Sequence, residues 1–445
     1  MTTFASNGVT NGSINGLIND STVPDQRTEH HLEHHPDPVD DTDRSRPDWA
    51  TRPHPATDVE WLARTEEVSA LLAVDAVARD RAGATPYDEV ALLKDSGLVT
   101  LLGPAQHGGG GQEWPIAYHM IRELAAADGS IGQLLGYHYL WNWAARLIGT
   151  PEQIEAVEAE AARNRWFFGA AVNPRDEDLR VRDDGAQVVF NGRKSFSTGS
   201  KVSDVTVLEG VLDGTDAHLF AIVPSHQPGI TFHDDWDNIG QRLTESGGVS
   251  IAEVRVPWMD ALGFRDKEFQ PRVYNTLNVP TIQLVFVNLY LGIARGALRT
   301  AAEYTRTHSR PWLHGDRQRA VDEPYRLDLF GDLTAKLRAV EALADQVADE
   351  GLDIHRHLWS VTERERGEHE VRVAAVKARA TAVALEVTSR VLEGTEARST
   401  TSELGLDRFW RNVRTHTLHD PVAYKRREVG AYLLRDELPE PSWYS

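Results

Sequence analysis

The sequence predicts an α+β protein built in three successive parts: an N-terminal helical domain, a middle antiparallel β domain of barrel or sandwich form, and a C-terminal four-helix bundle. Three observations carry this. Apolar residues recur at helical spacing from "DVEWLARTEEVSALLAVDAVARDRAG" through "SIGQLLGYHYLWNWAARLIG". Around Arg165 the texture changes to short β-branched and aromatic runs cut by Gly, Asp and Pro, among them "DVTVLEGVL" and "AHLFAIVP". After Phe269 the helical period returns in stretches long enough to span a bundle, such as "TIQLVFVNLYLGIARGALRTAAEYTRTH". Strands and helices nowhere alternate as βαβ units.

Residues 1–55 are rich in Asn, Gly, Ser, Asp, Pro and His and carry few large apolar side chains. They cannot bury enough surface to offset ordering entropy, so a disordered tail is expected. Its "EHHLEHH" (29–35) has a metal-binding composition, but a flexible cluster without fixed outer partners is more often incidental. The helical domain follows at 56–164. Within it "HGGGGQEW" offers no Lys-Ser/Thr pair to phosphates and follows no strong strand, so it reads as a turn between helices. Asp128 and Ser130 are capping residues for the next helix, which sets Ile131, Leu134, Leu135, His138 and Ala145 on one face. His138 therefore points toward the interior, where a satisfied core histidine is more common than a catalyst and both readings stay open. Tyr137 lies about 100° around the helix, where a phenol can line a pocket edge.

The β domain is placed at 165–268, and "NG" at 191–192 is its strongest hairpin signal. In "NGRKSFSTGSKVSD", Ser197 and Thr198 offer donors to a polar ring edge, against ordinary turn chemistry satisfied locally. The bundle occupies 269–445 and contains "RTHTLHDPVAY" (414–424). If this segment is helical, His416 and His419 share a face, Asp420 can orient an imidazole, and Pro421 marks the end. A metal needs a further fixed ligand, and no second carboxylate–histidine motif appears, so no metal site is expected. Packing at a helix end and proton transfer beside a cofactor both stay open.

Composition narrows the function. The 445 residues hold 67 acidic against 47 basic side chains, a formal charge of −20, which argues against nucleic-acid and membrane partners. With no cysteine, thiol catalysis, iron–sulfur clusters and disulfides are excluded. Neither a cleavable signal nor an apolar run of about 18 residues is visible, and a cytoplasmic protein is expected. No nicotinamide fingerprint, G-x-S-x-G elbow or H-E-x-x-H helix is found.

The order of the three parts, with "PAQHGGGG", "AAADGSIGQLLGYH", "NGRKSFSTGSK", "DDWDNIGQRLTESG", "EYTRTHSRPW" and "DRFWRNVRTHTLHDPVAYK", resembles the acyl-CoA dehydrogenase superfamily over residues 56–445. The resemblance is to its branch of flavin-dependent monooxygenases that oxidise sulfur heterocycles. It implies an acyl-CoA dehydrogenase-like fold and a two-component enzyme. Reduced FMN or FAD and O₂, through a C4a-hydroperoxyflavin, would oxygenate a small aromatic heterocycle, dibenzothiophene-like or indole-like, at S, N or C. A separate NAD(P)H flavin reductase would supply the reduced flavin. Superfamily members typically form homotetramers, which suits the apolar circumference of "TIQLVFVNLYLGIARGAL".

By position, the resemblance places cofactor-binding residues on Tyr137, Ser197, Thr198, Arg310, Trp312, Arg398, His416 and His419. Arg310 and Arg398 suit a flavin phosphate because a guanidinium presents a fixed fork of donors. His419 takes the role of proton source with His416 supporting it, and Tyr137 and Thr198 complete the catalytic set. Gln133 and Ala170 stand where that branch has a histidine and an asparagine, which changes pocket polarity. Dehydrogenases of the superfamily use a glutamate to take the substrate's α-proton. "LHDP" puts imidazoles in that region, so acyl-CoA dehydrogenase or oxidase activity is the disfavoured alternative.

Overall fold

The computed structural model describes residues 47–174, 176 and 178–442. Its helices begin where side chains take up the free N–H groups of a first turn. Thr57 accepts from Glu60 N while the Glu60 carboxylate accepts from Thr57 N, opening α1 (Asp58–Ala82). Next come α2 (Tyr87–Asp95) and α3 (Trp114–Ala127), the latter with a proline in its first turn. Asp128 caps α4 (Gly129–Asn142) by accepting from Ser130 N and Ile131 N, as expected. The helical part closes with α5 (Ala144–Ile148) and α6 (Pro151–Asn164), which a Thr150–Gln153 capping box starts. "HGGGGQEW" is the turn leading into α3, its Gly110 N–H held by Thr100 O.

Of the expected tail, residues 1–46 and with them "EHHLEHH" lie outside the described residues. Its last part is corrected. Trp49 is buried and donates its indole N–H to Glu67 at 3.0 Å, Arg52 pairs with the same carboxylate, and the His54 ring meets Trp61 edge-on. One large apolar ring and an ion pair are enough to seat residues 49–54 on α1.

The middle part holds β1 (Phe168–Ala171), β2 (Arg180–Asp184), β3 (Gln187–Lys194), β4 (Val205–Leu212), β5 (His218–Pro224), β6 (Ile230–Phe232) and β7 (Val249–Pro257). A short pair, β8 (Phe264–Arg265) and β9 (Glu268–Phe269), follows. The sheet order is β1-β4-β2-β3-β7-β6, with β5 also on β4. It is mixed rather than antiparallel, because β4 runs parallel to both β1 and β2. Side chains alternate with the same period in either direction, so strand texture did not carry this.

The hairpin expected at Asn191–Gly192 is also corrected. Both residues lie inside β3, at a bulge where the register against β7 slips, and the tight turn is Gly185–Ala186 between β2 and β3. A Cβ on Gly192 would stand 1.9 Å from Asp178 O, and its φ is +138°. Glycine serves a close backbone approach there, not a turn.

The C-terminal part is built from α7 (Asn278–Thr307), α8 (Pro324–Arg356), α9 (Glu363–Thr395), α10 (Asp407–His416) and α11 (Val422–Arg435). Among the described residues the expected helical bundle holds three long helices and two shorter ones. Among the described residues, only the stretch forming α7 is long and apolar enough to cross a membrane, and most of it is buried against its neighbours. Arg122 of α3 donates to Asn288 Oδ1 of α7 at 2.6 Å, tying the helical part to the bundle. The loop before β7 seats α10. Gln241 N donates to Asn412 Oδ1 at 2.7 Å, Arg411 donates to Ile239 O at 2.7 Å, and a Cβ on Gly240 would sit 2.2 Å from Arg411 O.

Candidate active site

Four helices and one turn converge around the two histidines. α10 ends at His416, and residues 417–420 form a turn, so His419 lies just beyond the helix rather than on it. Pro421 stands at the N-cap position of α11 and so opens a helix instead of closing one. The rings still stack, with centroids 5.8 Å apart and planes 12° from parallel. Both also pack on Phe286 of α7, at 4.6 and 4.8 Å.

His416 is buried, and burial, followed by the charges of His419 and Lys377, pushes its pKa well below the ordinary value. It is a neutral imidazole with a defined tautomer. Tyr290 O–H lies 3.1 Å from His416 O, which only accepts, and 2.9 Å from His416 Nδ1. One phenol has one proton, so both contacts are hydrogen bonds only when Nδ1 carries its own hydrogen. Nε2 is then the acceptor, and Tyr137 O–H of α4 points to it at 3.5 Å. Burial pushes the pKa values of both phenols up, so they hold protons rather than release them.

His419 differs. Its ring is about half exposed, and its Nδ1 lies 3.2 Å from Asp420 Oδ1, which leaves Nε2 open for an incoming group. Asp420 also lies 3.5 Å from Lys377 Nζ of α9. Burial opposes ionisation of Asp420, but the His419 hydrogen bond and the Lys377 charge outweigh it and hold the carboxyl well below the usual range. Lys377 is itself fully buried. It donates to Gln283 Oε1 at 2.6 Å, and its ammonium lies 4.5 Å from the Phe286 ring centroid.

The structure thus brings together Tyr137, His416, His419 and Asp420 and adds Phe286, Tyr290 and Lys377. Ser197 and Thr198 sit at the end of the sheet beside α4: Gly199 abuts Leu134, one turn before Tyr137. Their hydroxyls are satisfied across the chain rather than within their own turn, Ser197 by Gly247 O at 2.6 Å and Thr198 by Ser246 Oγ at 2.8 Å. Arg310, Trp312 and Arg398 are not brought to the histidines in this chain. They are exposed beyond the far ends of α7 and α9, roughly 25 Å away at about 1.5 Å per residue from Tyr290 to Thr307.

Three further positions are informative. His138 is the satisfied core histidine expected: it meets Val99 O at 2.8 Å and accepts from Phe168 N at 3.0 Å, and burial lowers its pKa to about 4. Gln133 is buried one turn before Tyr137 and its Oε1 has no partner. Ala170 donates its N–H to Thr198 O at 3.3 Å. Both positions that differ from the branch pattern therefore adjoin residues of the expected site. Among the described residues no group of three His, Asp or Glu side chains has the arrangement of a metal set.

Comparison with known proteins places this arrangement. Residues 65–164 match the model for "Acyl-CoA dehydrogenase, N-terminal domain", and residues 284–423 match that for "Acyl-CoA dehydrogenase, C-terminal domain". The chain belongs to the acyl-CoA dehydrogenase family. It is 40% identical over 412 residues to dibenzothiophene monooxygenase of Rhodococcus erythropolis, covering 88% of this chain and 98% of that one. To the "Probable FMNH2-dependent monooxygenase SfnC" of Pseudomonas putida it is 36% identical over 396 residues, 89% and 98% of the two chains. The structure of TdsC from Paenibacillus sp. A11-2 with FMN and indole superposes with a TM-score of 0.81 at 38% identity, covering 86% of this chain and 99% of that one. Within the family, then, this is a flavin-dependent monooxygenase.

Proposed function

We propose that the enzyme takes reduced FMN from a separate NAD(P)H flavin reductase and uses O₂ to oxygenate a small flat aromatic heterocycle of the dibenzothiophene or indole class, in the cytoplasm. The observation that carries this is the stacked His416–His419 pair with Asp420 on His419 Nδ1, a proton-handling imidazole where a dehydrogenase needs a carboxylate base. The names of the relatives support FMN over FAD, and indole in TdsC supports the substrate class. The lack of a nicotinamide fingerprint supports the separate reductase.

The residues present fit a flavin. Gln133 Oε1, and both amide atoms of Gln241 on the loop that seats α10, are buried without partners among the described residues. An amide with free donor and acceptor complements an imide ring edge. When bound, reduced FMN supplies the electrons that let one atom of O₂ enter the substrate while the other leaves as water. As the imidazolium, with its Nδ1–H held by the Asp420 carboxylate, His419 gives its Nε2 proton to the leaving oxygen and is left as the neutral Nδ1–H tautomer. His416, kept neutral and tautomerically fixed by Tyr290, presents Nε2 to Tyr137 and so orients the phenol. Phe286 and Tyr137, stacked at 5.9 Å with planes 27° apart, give an apolar wall that excludes water. Thr198 stands at the sheet end as a polar neighbour of the cofactor edge.

Arg310, Trp312 and Arg398 take their cofactor role across a subunit boundary in a homotetramer. Trp312, Leu313, Tyr325 and Leu327 are each more than 60% exposed in the single chain, an apolar surface that a neighbouring copy would cover. A reductase-coupled screen of dibenzothiophene and indole, with products identified by mass, tests the function. Oxygenated product only in the presence of the reductase supports it. Rapid bleaching of bound oxidised flavin by an acyl-CoA would favour the dehydrogenase alternative.

A further inference from the structure

A lysine buried in a helix bundle is costly unless its charge is answered, because an unpaired ion in a low-dielectric interior loses several kcal/mol of hydration. Lys377 has 2% of its side chain exposed. Its ammonium is answered by Gln283 and by the faces of Phe286 and Tyr290 from α7, and by Asp420 in the turn after α10. The other charged or titratable groups that act on it are Lys425 from α11, Glu370 from its own helix, and the neighbouring imidazole of His416. Lys425 is already engaged by Glu370 at 2.7 Å and Glu428 at 3.1 Å, which leaves Asp420 as the carboxylate for Lys377.

Asp420 needs that anchor. Its Oδ1 serves both Lys377 and His419, and its Oδ2 is buried without a hydrogen-bond partner among the described residues. No backbone N–H holds it through a hydrogen bond to either oxygen among the described residues. The His419 ring in turn is half exposed, and among the described residues this carboxylate is its one polar side-chain contact. We propose that Lys377 is a positioning residue: its buried ammonium fixes the Asp420 carboxylate, and through it the orientation and tautomer of His419, so that the charge of Lys377 sets how much O₂ reaches substrate rather than escaping as hydrogen peroxide. The inference rests on the proton-donor role of His419 given above.

Without the ammonium, Asp420 keeps only the charge of Lys425, which Glu370 and Glu428 already engage, so the His419 ring is held less firmly and its Nε2 no longer stays on the reacting oxygen. Burial brings the Lys377 pKa down to about 8, so the charge is lost in an accessible range, and wild-type coupling falls as pH rises through it. An arginine at the same place keeps its charge throughout that range.

The test compares wild type with Lys377→Met and Lys377→Arg, using indole, FMN, NADH and a flavin reductase from pH 6 to 10. Product and peroxide are read together, with FMN affinity of each variant. Lys377→Met should lose product at least about tenfold with peroxide taking up the difference and FMN affinity little changed. Lys377→Arg should restore coupling and move the alkaline fall up by more than about one pH unit. A second readout uses cofactor-free protein: carbethoxylation of His419 by diethyl pyrocarbonate, followed by peptide mass. Its rate should rise severalfold in Lys377→Met and stay near wild type in Lys377→Arg. If Lys377→Met does not fold, the arginine variant decides alone. An alkaline fall at the same pH in Lys377→Arg as in wild type, or unchanged His419 reactivity in a folded Lys377→Met, overturns the inference. Failure of wild type to oxygenate indole or dibenzothiophene would count against the proposed function, and the His419 reactivity would still judge Lys377.

Discussion

Removing the His419 imidazole separates proton chemistry from packing. In His419→Ala the fold loses a half-exposed ring that stacks on His416 and Phe286, and one hydrogen bond to Asp420. For a group this exposed the cost is about 1 kcal/mol. That moves the melting temperature by roughly 2 °C in a chain of this length. Loss of a proton donor in the transition state instead costs about 10²–10⁴-fold in rate, or about 3–5 kcal/mol of barrier. The two outcomes are far apart. The assay measures oxygenated indole, hydrogen peroxide, FMN affinity and melting temperature for the same preparation. Product should fall at least about a hundredfold while peroxide holds or rises and FMN binding and melting change little. Product within about threefold of wild type would remove His419 from the chemistry; a large drop in melting temperature with activity retained below it would make it a packing residue.

Four other outcomes follow from the same geometry. Tyr290→Phe leaves His416 Nδ1 and its carbonyl without their shared partner, which should cost about 1–3 kcal/mol in denaturant unfolding and reduce product. Lys377→Met takes the cation from Asp420 and Gln283, so it should be less stable than wild type at pH 7. Wild type should gain further on it as pH rises from about 8 toward the unfolded lysine value, because the folded state sheds its proton first; melting curves at pH 7 and 10 check the sign. Arg310→Ala with Arg398→Ala should weaken FMN binding by fluorescence titration without lowering the melting temperature, since both side chains are exposed. Gly192→Ala, with its Cβ against Asp178 O, should cost about 3 kcal/mol or more by thermal unfolding.

Much of this architecture could be read from spacing. Helical period marked α1, α4, α7, α8 and α9, and Asp128 announced the start of α4 because a cap is a local signal. Strand direction was not local. β4 runs parallel to β1 and β2 through long-range pairing that leaves no mark on the alternation of any strand, and Gly192 imitated a turn because a bulge and a turn ask the same freedom of the backbone.

The site was half visible. "THTLHDP" showed His416, His419 and Asp420, but their partners come from α4, α7 and α9, far away in the chain. Lys377 did carry a signal: in "VRVAAVKARATAVALEV" it stands on the stripe of Val373, Val376, Ala380 and Ala384, which is buried. A charged side chain on a buried helical face marks a paired ion. Tyr290 and Phe286 carried none, since an aromatic residue in an apolar helix is ordinary core. The distance of Arg310, Trp312 and Arg398 from the histidines was illegible because the spacing of residues does not say where the loops beyond two long helices fall in space.

The most direct test of the oxygenase role is turnover under ¹⁸O₂ with FMN, NADH, a flavin reductase and either dibenzothiophene or indole, with the product weighed by mass spectrometry. Each product oxygen introduced should derive from ¹⁸O₂, at one atom per reduced flavin consumed productively, and none should appear when the reductase is omitted. Product oxygen derived from water, or peroxide as the sole fate of O₂ with every heterocycle while acyl-CoA bleaches the oxidised flavin, would contradict it.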